Sequence, residues 1–212
     1  MKDLRKKLRI FFYSIEATGH LNATIGIAQA LQNRGHEVLF FISPNTAPSV
    51  AKFNIPIYEL KSSIPPEEDA KNTAKMIAEV FIKSGGISGK PSIEKLFMWT
   101  DLSENSILRK IQNCCYEFND QIEAEIIKNK PDCFILDQLF YQPFLGKHNI
   151  PWIPILSTGP HFIYAGPNHP PPLSGYTMEE HDKFDAFNKI LEESTSAYRD
   201  CQDELNKQFD YV

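Results

Sequence analysis

Residues 8–15, LRIFFYSI, run straight into Glu16-Ala-Thr-Gly19-His20, and the reading of this stretch decides the fold. The run is rich in aromatic and β-branched side chains, too short for a helix, and stops at a turn-like segment, so it predicts a buried strand. The period then changes. Thr24, Ile27, Ala28 and Leu31 fall at i, i+3, i+4 and i+7, one stripe of a helix that Asn22 or Thr24 would cap and Gly35 would end. His36–Ser43 (HEVLFFIS) reads as a second buried strand, Ala47–Phe53 as a short helix and Ile55–Leu60 as a third strand. Continuous apolar strands alternating with amphipathic helices predict an α/β fold: a doubly wound parallel sheet, Rossmann-like, with both faces covered.

Further along, residues 62–100 carry Pro65-Pro66, a helical patch around Ala70–Ile82, and Gly85-Gly86 and Gly89. So long an excursion between regular elements marks a functional or mobile loop. From Asp101 a long helix is expected, with Ile107, Leu108, Ile111, Cys115, Phe118, Ile122 and Ile126 on its apolar face, running to about Asn129 before Pro131. A fourth strand, Cys133–Leu136, ends at Asp137. Helical residues around Gln142–His148 lead to a fifth strand, Trp152–Leu156. A Pro/Gly-rich stretch, Pro160–Gly175, precedes a final polar helix over roughly Met178–Lys207, whose Asp182, Asp185, Glu192 and Glu193 read as a solvated face.

The 212 residues, 42% hydrophobic and 23% charged, suffice for one sizeable core. A net charge of −5 and the lack of a basic run beyond the first nine residues give no footprint for nucleic acid. Cys114, Cys115, Cys133 and Cys201 have no metal-ligand spacing, and the adjacent pair suits buried free thiols in a reducing compartment. No metal is expected. The apolar stretch after the basic N-terminus, Ile10–Ile15, is too short for a signal peptide, and no run approaches the about 18 apolar residues of a membrane span. A cytoplasmic protein is the simplest expectation.

In open α/β sheets, ligands bind beyond the carboxyl ends of the strands where strand order reverses. For the order 3-2-1-4-5 that crevice lies between strands one and four, which puts His20 and Asp137 on facing lips. A histidine beside a carboxylate is a general-base arrangement. It can deprotonate a substrate hydroxyl without any protein nucleophile, and no nucleophile elbow is present. A helix-entry histidine is the structural alternative. Neither G-x-G-x-x-G nor G-x-x-x-x-G-K-[ST] occurs, which disfavours a nicotinamide or ATP site.

Gly19-His20-Leu21-Asn22-Ala23, after a first strand and before Ala28-Gln29-Ala30-Leu31 and Gly35-His36-Glu37-Val38, resembles the opening of the UDP-glycosyltransferase family of the GT-B fold. Pro131–Asp137 (PDCFILD) is similar to the family strand that ends in the partner of the base. Gly166-Pro167-Asn168 with Pro170-Pro171-Pro172 is similar, more weakly, to its proline-rich segment before the interdomain region. The resemblance implies inverting transfer of a hexose from a UDP-sugar to the hydroxyl of a small lipophilic acceptor, of the kind used in detoxification. His20 would be the base and Asp137 the carboxylate that orients it. Residues 1–212 would form the acceptor-binding N-terminal domain, with a mobile acceptor loop about 62–100 and further pocket walls within 138–180. Gly19, permitting close approach or a positive φ, and Trp99 and His161 are candidate substrate-binding residues. Phe97 and Met98 would wall the same apolar site. No resident cofactor is implied, the UDP-sugar being a co-substrate. The family's donor signature lies in a C-terminal domain beyond Val212, so the isolated chain is expected to be inactive. One departure, Asn22-Ala23 where many members have a proline, affects loop stiffness more than chemistry. A free-standing acceptor-binding domain, or one subunit of a split transferase, is the alternative. A flavodoxin-like domain fits the fold but not the His20 loop.

Overall fold

The computed structural model describes residues 6–63, 106–157, 168–172 and 174–210, together with Lys75, Ala78, Glu79 and Ile82. Five strands, β1 (Arg9–Ser14), β2 (Glu37–Ile42), β3 (Ile57–Glu59), β4 (Cys133–Asp137) and β5 (Trp152–Pro154), form one sheet in the order β3-β2-β1-β4-β5. Every pairing is parallel, with Ile10 opposite both Val38 and Cys133, and Ser14 opposite Asp137. This is the doubly wound α/β arrangement predicted, with its order reversal between β1 and β4.

β1, β2 and β4 read as unbroken apolar runs because both their faces are buried, whereas β3 is half-buried to exposed and β5 is exposed, against the expectation of a sheet covered throughout. On one face, Ile10, Phe12, Phe40 and Ile42 pack with Leu21, Ile25 and Ala28 of α1 (Thr18–Asn33) and Val50 of α2 (Ala47–Ala51). On the other, Phe11, Tyr13, Phe41 and Phe134 pack with Phe118, Ile122 and Ile126 of α3 (Ile107–Asn129) and Phe144 of α4 (Pro143–Lys147). The phenylalanine pairs are ordered: Phe12 stacks on Phe40 at 4.8 Å between ring centroids, and Phe11 meets Phe41 edge-on at 5.3 Å.

Local chemistry sets most boundaries. The Ser106 side chain caps α3 by accepting from Arg109 N–H, and Lys130 ends it in the left-handed region at φ 47°. Gly35, at φ +89°, follows α1 as expected. The start of α1 differs from the sequence reading: the helix begins at Thr18 after Ala17, with no side-chain cap, so Asn22 and Thr24 lie within it. Its buried stripe is Leu21, Thr24, Ile25 and Ala28, and Ile27 is exposed.

The expected single polar C-terminal helix is two helices, α5 (Phe184–Ser194) after a 3-10 turn and α6 (Ser196–Gln208), broken at Thr195. Nor is it solvated throughout. Ala197, Cys201 and Leu205, spaced i, i+4, i+8, are buried against Leu108 and Cys115 of α3 and Phe140. Polar contacts fasten the seam: Arg109 pairs with Glu204, and Gln112 donates to the Cys201 carbonyl at 2.8 Å. The buried-thiol expectation holds for Cys115 and Cys201 and fails for Cys114, which is exposed, while Cys133 is half-buried. Burial pushes the Cys115 thiol up to about 11, against the Gln142 hydrogen bond that pulls it down, so it stays protonated.

Candidate functional site

The carboxyl ends of β1 and β4 lie side by side, and Asp137 ties them with both its backbone and its side chain. Its carbonyl accepts from Ile15 N–H at 2.8 Å, and its Oδ2 accepts from the Ser14 hydroxyl at 3.4 Å. The crossover from β1 into α1 places His20 in the helix's first turn, directly above that carboxylate. His20 Nδ1 is 3.0 Å from Asp137 Oδ2, across 117 residues of sequence. The Asp137 side chain is only 4% exposed and that of His20 is 22% exposed, so the carboxylate is shielded while the imidazole reaches solvent.

Ser157, just beyond β5, brings its Oγ to 2.6 Å from the same Nδ1. His20 Nε2 makes no hydrogen bond to a described residue. This arrangement separates the site from a Ser-His-Asp hydrolase triad, in which the carboxylate and the nucleophile engage opposite ring nitrogens. Here both oxygens meet Nδ1. An ionised carboxylate is acceptor-only, so it requires N–H at Nδ1 and leaves the Nε2 lone pair free to take a proton.

A second cluster secures the turn before the helix. Glu16 accepts from Ser43 N–H at 2.6 Å and from the hydroxyls of Ser43 and Thr46. The β1–α1 turn is thereby fastened to the carboxyl end of β2. On the far side of the crevice, α6 holds the segment that follows Asp137. Gln202 accepts from Tyr141 N–H at 2.7 Å and donates to its carbonyl at 3.0 Å, and Tyr198 donates to the Leu139 carbonyl. Tyr13, at the end of β1 on the α3 face, is fully buried. Burial above all pushes its phenol well above the ordinary value and keeps it neutral.

Of the predicted site residues, His20 and Asp137 are brought together. Gly19 sits inside α1 without a positive φ, and a Cβ there would meet nothing within 4 Å. The positive φ considered for Gly19 is therefore absent, and the residue has open space beside it. Trp99 and His161 lie outside the described residues, as do Phe97 and Met98. His36, at the opposite end of the sheet, accepts from Leu8 N–H at 3.2 Å. His148 is half-buried, with Nε2 2.7 Å from Glu123 Oε1. Asp132 is a strand-entry anchor, accepting from Arg9 N–H at 2.9 Å and from Lys6. Among the described residues, no group of three or more His, Cys, Asp or Glu side chains is placed to hold a metal ion. No described helix is long and apolar enough to cross a membrane.

Sequence reasoning missed Ser157, Ser14 and Glu16. The one available signal was position, since each lies at or just beyond a strand's carboxyl end.

No protein-family model and no curated protein matches the chain. Solved structures do. The glycotransferase of kitacinnamycin aligns at 16% identity with a TM-score of 0.47, over 73% of this chain and 32% of its own. The glycosyltransferase SsfS6 of Streptomyces sp. SF2575 aligns at 20% identity and 0.46, over 69% and 38%. VinC, a glycosyltransferase solved with dTDP, aligns at 14% identity and 0.48, over 86% and 38%. The chain thus matches well under half the length of each. The fold assignment here stands on strand order and register.

Proposed function

We propose that the chain is the acceptor-binding, base-carrying part of an inverting UDP-sugar glycosyltransferase. The observation that carries this reading is the 3.0 Å contact of Asp137 Oδ2 with His20 Nδ1, which favours N–H at Nδ1 and so a basic lone pair on Nε2, at the order reversal of the sheet. The resemblance of the Gly19-His20 and Pro131–Asp137 segments to the UDP-glycosyltransferase family supports it.

In this mechanism Nε2 takes the proton from an acceptor hydroxyl. The oxygen's electron pair forms the bond to the anomeric carbon from the face opposite UDP, whose bond to that carbon breaks with the electron pair leaving on the phosphate. Asp137 stabilises the imidazolium so formed. The acceptor is a small lipophilic hydroxylated compound, and the donor is held largely by a second domain, in cis or in trans. No resident cofactor takes part.

The test is His20→Ala in the full-length protein, assayed with UDP-glucose and a panel of small phenols. Transfer should be lost while acceptor affinity, measured by calorimetry, changes by less than about threefold. Persistent transfer, or loss of both together, removes the base role.

A further inference from the structure

We infer that Ser157 is a positioning residue for the His20 imidazole, its hydroxyl oxygen accepting from Nδ1–H alongside Asp137 Oδ2. This rests on the reading of His20 as the base. A ring nitrogen of neutral histidine is either an N–H donor or a lone pair, never both. Were Nδ1 the lone pair, the Ser157 hydroxyl could donate to it at 2.6 Å, but that lone pair would also face the Asp137 carboxylate at 3.0 Å. A lone pair and a carboxylate only 4% exposed would then face each other with no proton between them, and the ring proton would occupy Nε2. With N–H at Nδ1, both oxygens accept in a forked hydrogen bond and no repulsion arises.

One oxygen at Nδ1 would favour the tautomer but let the ring swing about the N···O line, and a swing away from Asp137 would admit the other tautomer. Two oxygens supplied by different strands oppose that swing. Asp137 ends β4, and Ser157 follows β5 three residues after Pro154, while the ring itself descends from the first turn of α1. Ser157 therefore aims Nε2 without touching the reacting atoms. The same forked bond remains once Nε2 has gained its proton, because Nδ1 keeps its own.

The test is long-range 1H–15N spectroscopy of the uniformly labelled 212-residue chain, with the His20 ring signals assigned by their loss in His20→Gln. The wild type should show Nδ1 protonated and Nε2 bare. In Ser157→Ala the two nitrogen shifts should move toward each other as the ring samples the other tautomer. Ser157→Thr, which restores a hydroxyl, should return the wild-type pattern, with the backbone amide shifts of β1 and β4 unchanged in both variants. Unchanged ring shifts in Ser157→Ala, equal shifts in the Ala and Thr variants, or a wild-type ring protonated at Nε2 would each overturn the inference. In the full-length protein, Ser157→Ala should lower kcat about five- to tenfold with acceptor KM unaltered. If transfer survives His20→Ala, the base reading fails whatever the spectra show. If transfer needs His20 but Ser157→Ala leaves the ring spectra untouched, the role of Ser157 alone fails.

Discussion

Replacing Asp137 by Asn keeps the shape of the site and removes one charge, which isolates what the carboxylate does. The His20 imidazolium that forms during transfer would sit about 4 Å, charge to charge, from the carboxylate. At the effective dielectric of about 20 found near protein surfaces, that attraction is worth about 4 kcal/mol. All of it would be about a thousandfold in rate. His20, however, is 22% exposed, and the water reaching it screens part of the attraction, so a fall of about 100- to 1,000-fold is expected. A carboxamide can also turn its NH2 toward Nδ1, pushing the ring proton to Nε2 and adding to the loss. The assay is initial-rate transfer by the full-length protein at saturating UDP-sugar over a range of acceptor concentrations. Acceptor KM should hardly change, and the melting midpoint should stay within about 3 °C, since no packing is lost. A variant with kcat within fivefold of wild type would show that the 3.0 Å contact does not serve the reaction.

Two further predictions concern the frame around the pair. Glu16→Ala removes the acceptor of the Ser43 N–H and of two hydroxyls, leaving a backbone donor that is largely buried. We expect a loss of about 2–3 kcal/mol in urea unfolding, and a loss below about 0.5 kcal/mol would mean that water replaces the clamp. At the α3–α6 seam, hydrogen bonds from Arg109 and then Gln112 hold the Glu204 carboxyl below its ordinary value. A depressed carboxyl contributes stability that is fully present above the unfolded value of about 4.3 and lost as pH falls through the folded value. Between pH 5 and pH 3 the wild-type urea midpoint should therefore fall more steeply than that of Glu204→Gln, and parallel curves would dismiss the contribution.

β1 and β2 were legible in the sequence because burial on both faces leaves no polar alternation, and LRIFFYSI and HEVLFFIS fell where they are. The helix α3 was legible for a related reason: its apolar residues keep one face over many turns, and a proline follows. The start of α1 was not, because Ala17 offers no capping side chain and Thr18 and Gly19 are exposed, so neither a cap nor an apolar period marks the first turn. Ser157 and Glu16 were marked by position alone, for a different reason. Their partners stand 137 and 27–30 residues away, and no local period reports a contact that the fold creates. The break at Thr195 carried neither Gly nor Pro to mark it, although the i, i+4, i+8 spacing of Ala197, Cys201 and Leu205 did record a buried face.

The parallel pairing of β1 with β4, which sets Ser14 opposite Asp137 across 123 residues, also dictates when the site can exist during folding. The β1–α1–β2 unit can bury Ile10, Phe12, Phe40 and Ala28 from local sequence alone, so the base can be in place on its helix early. Its partners cannot, because the chain must first close a long loop and dock a new central strand, the slow kind of event in parallel sheets. His20 thus gains its carboxylate only when the two halves of the sheet zip together. The protonation pattern of one imidazole therefore reports the docking of β4 beside β1.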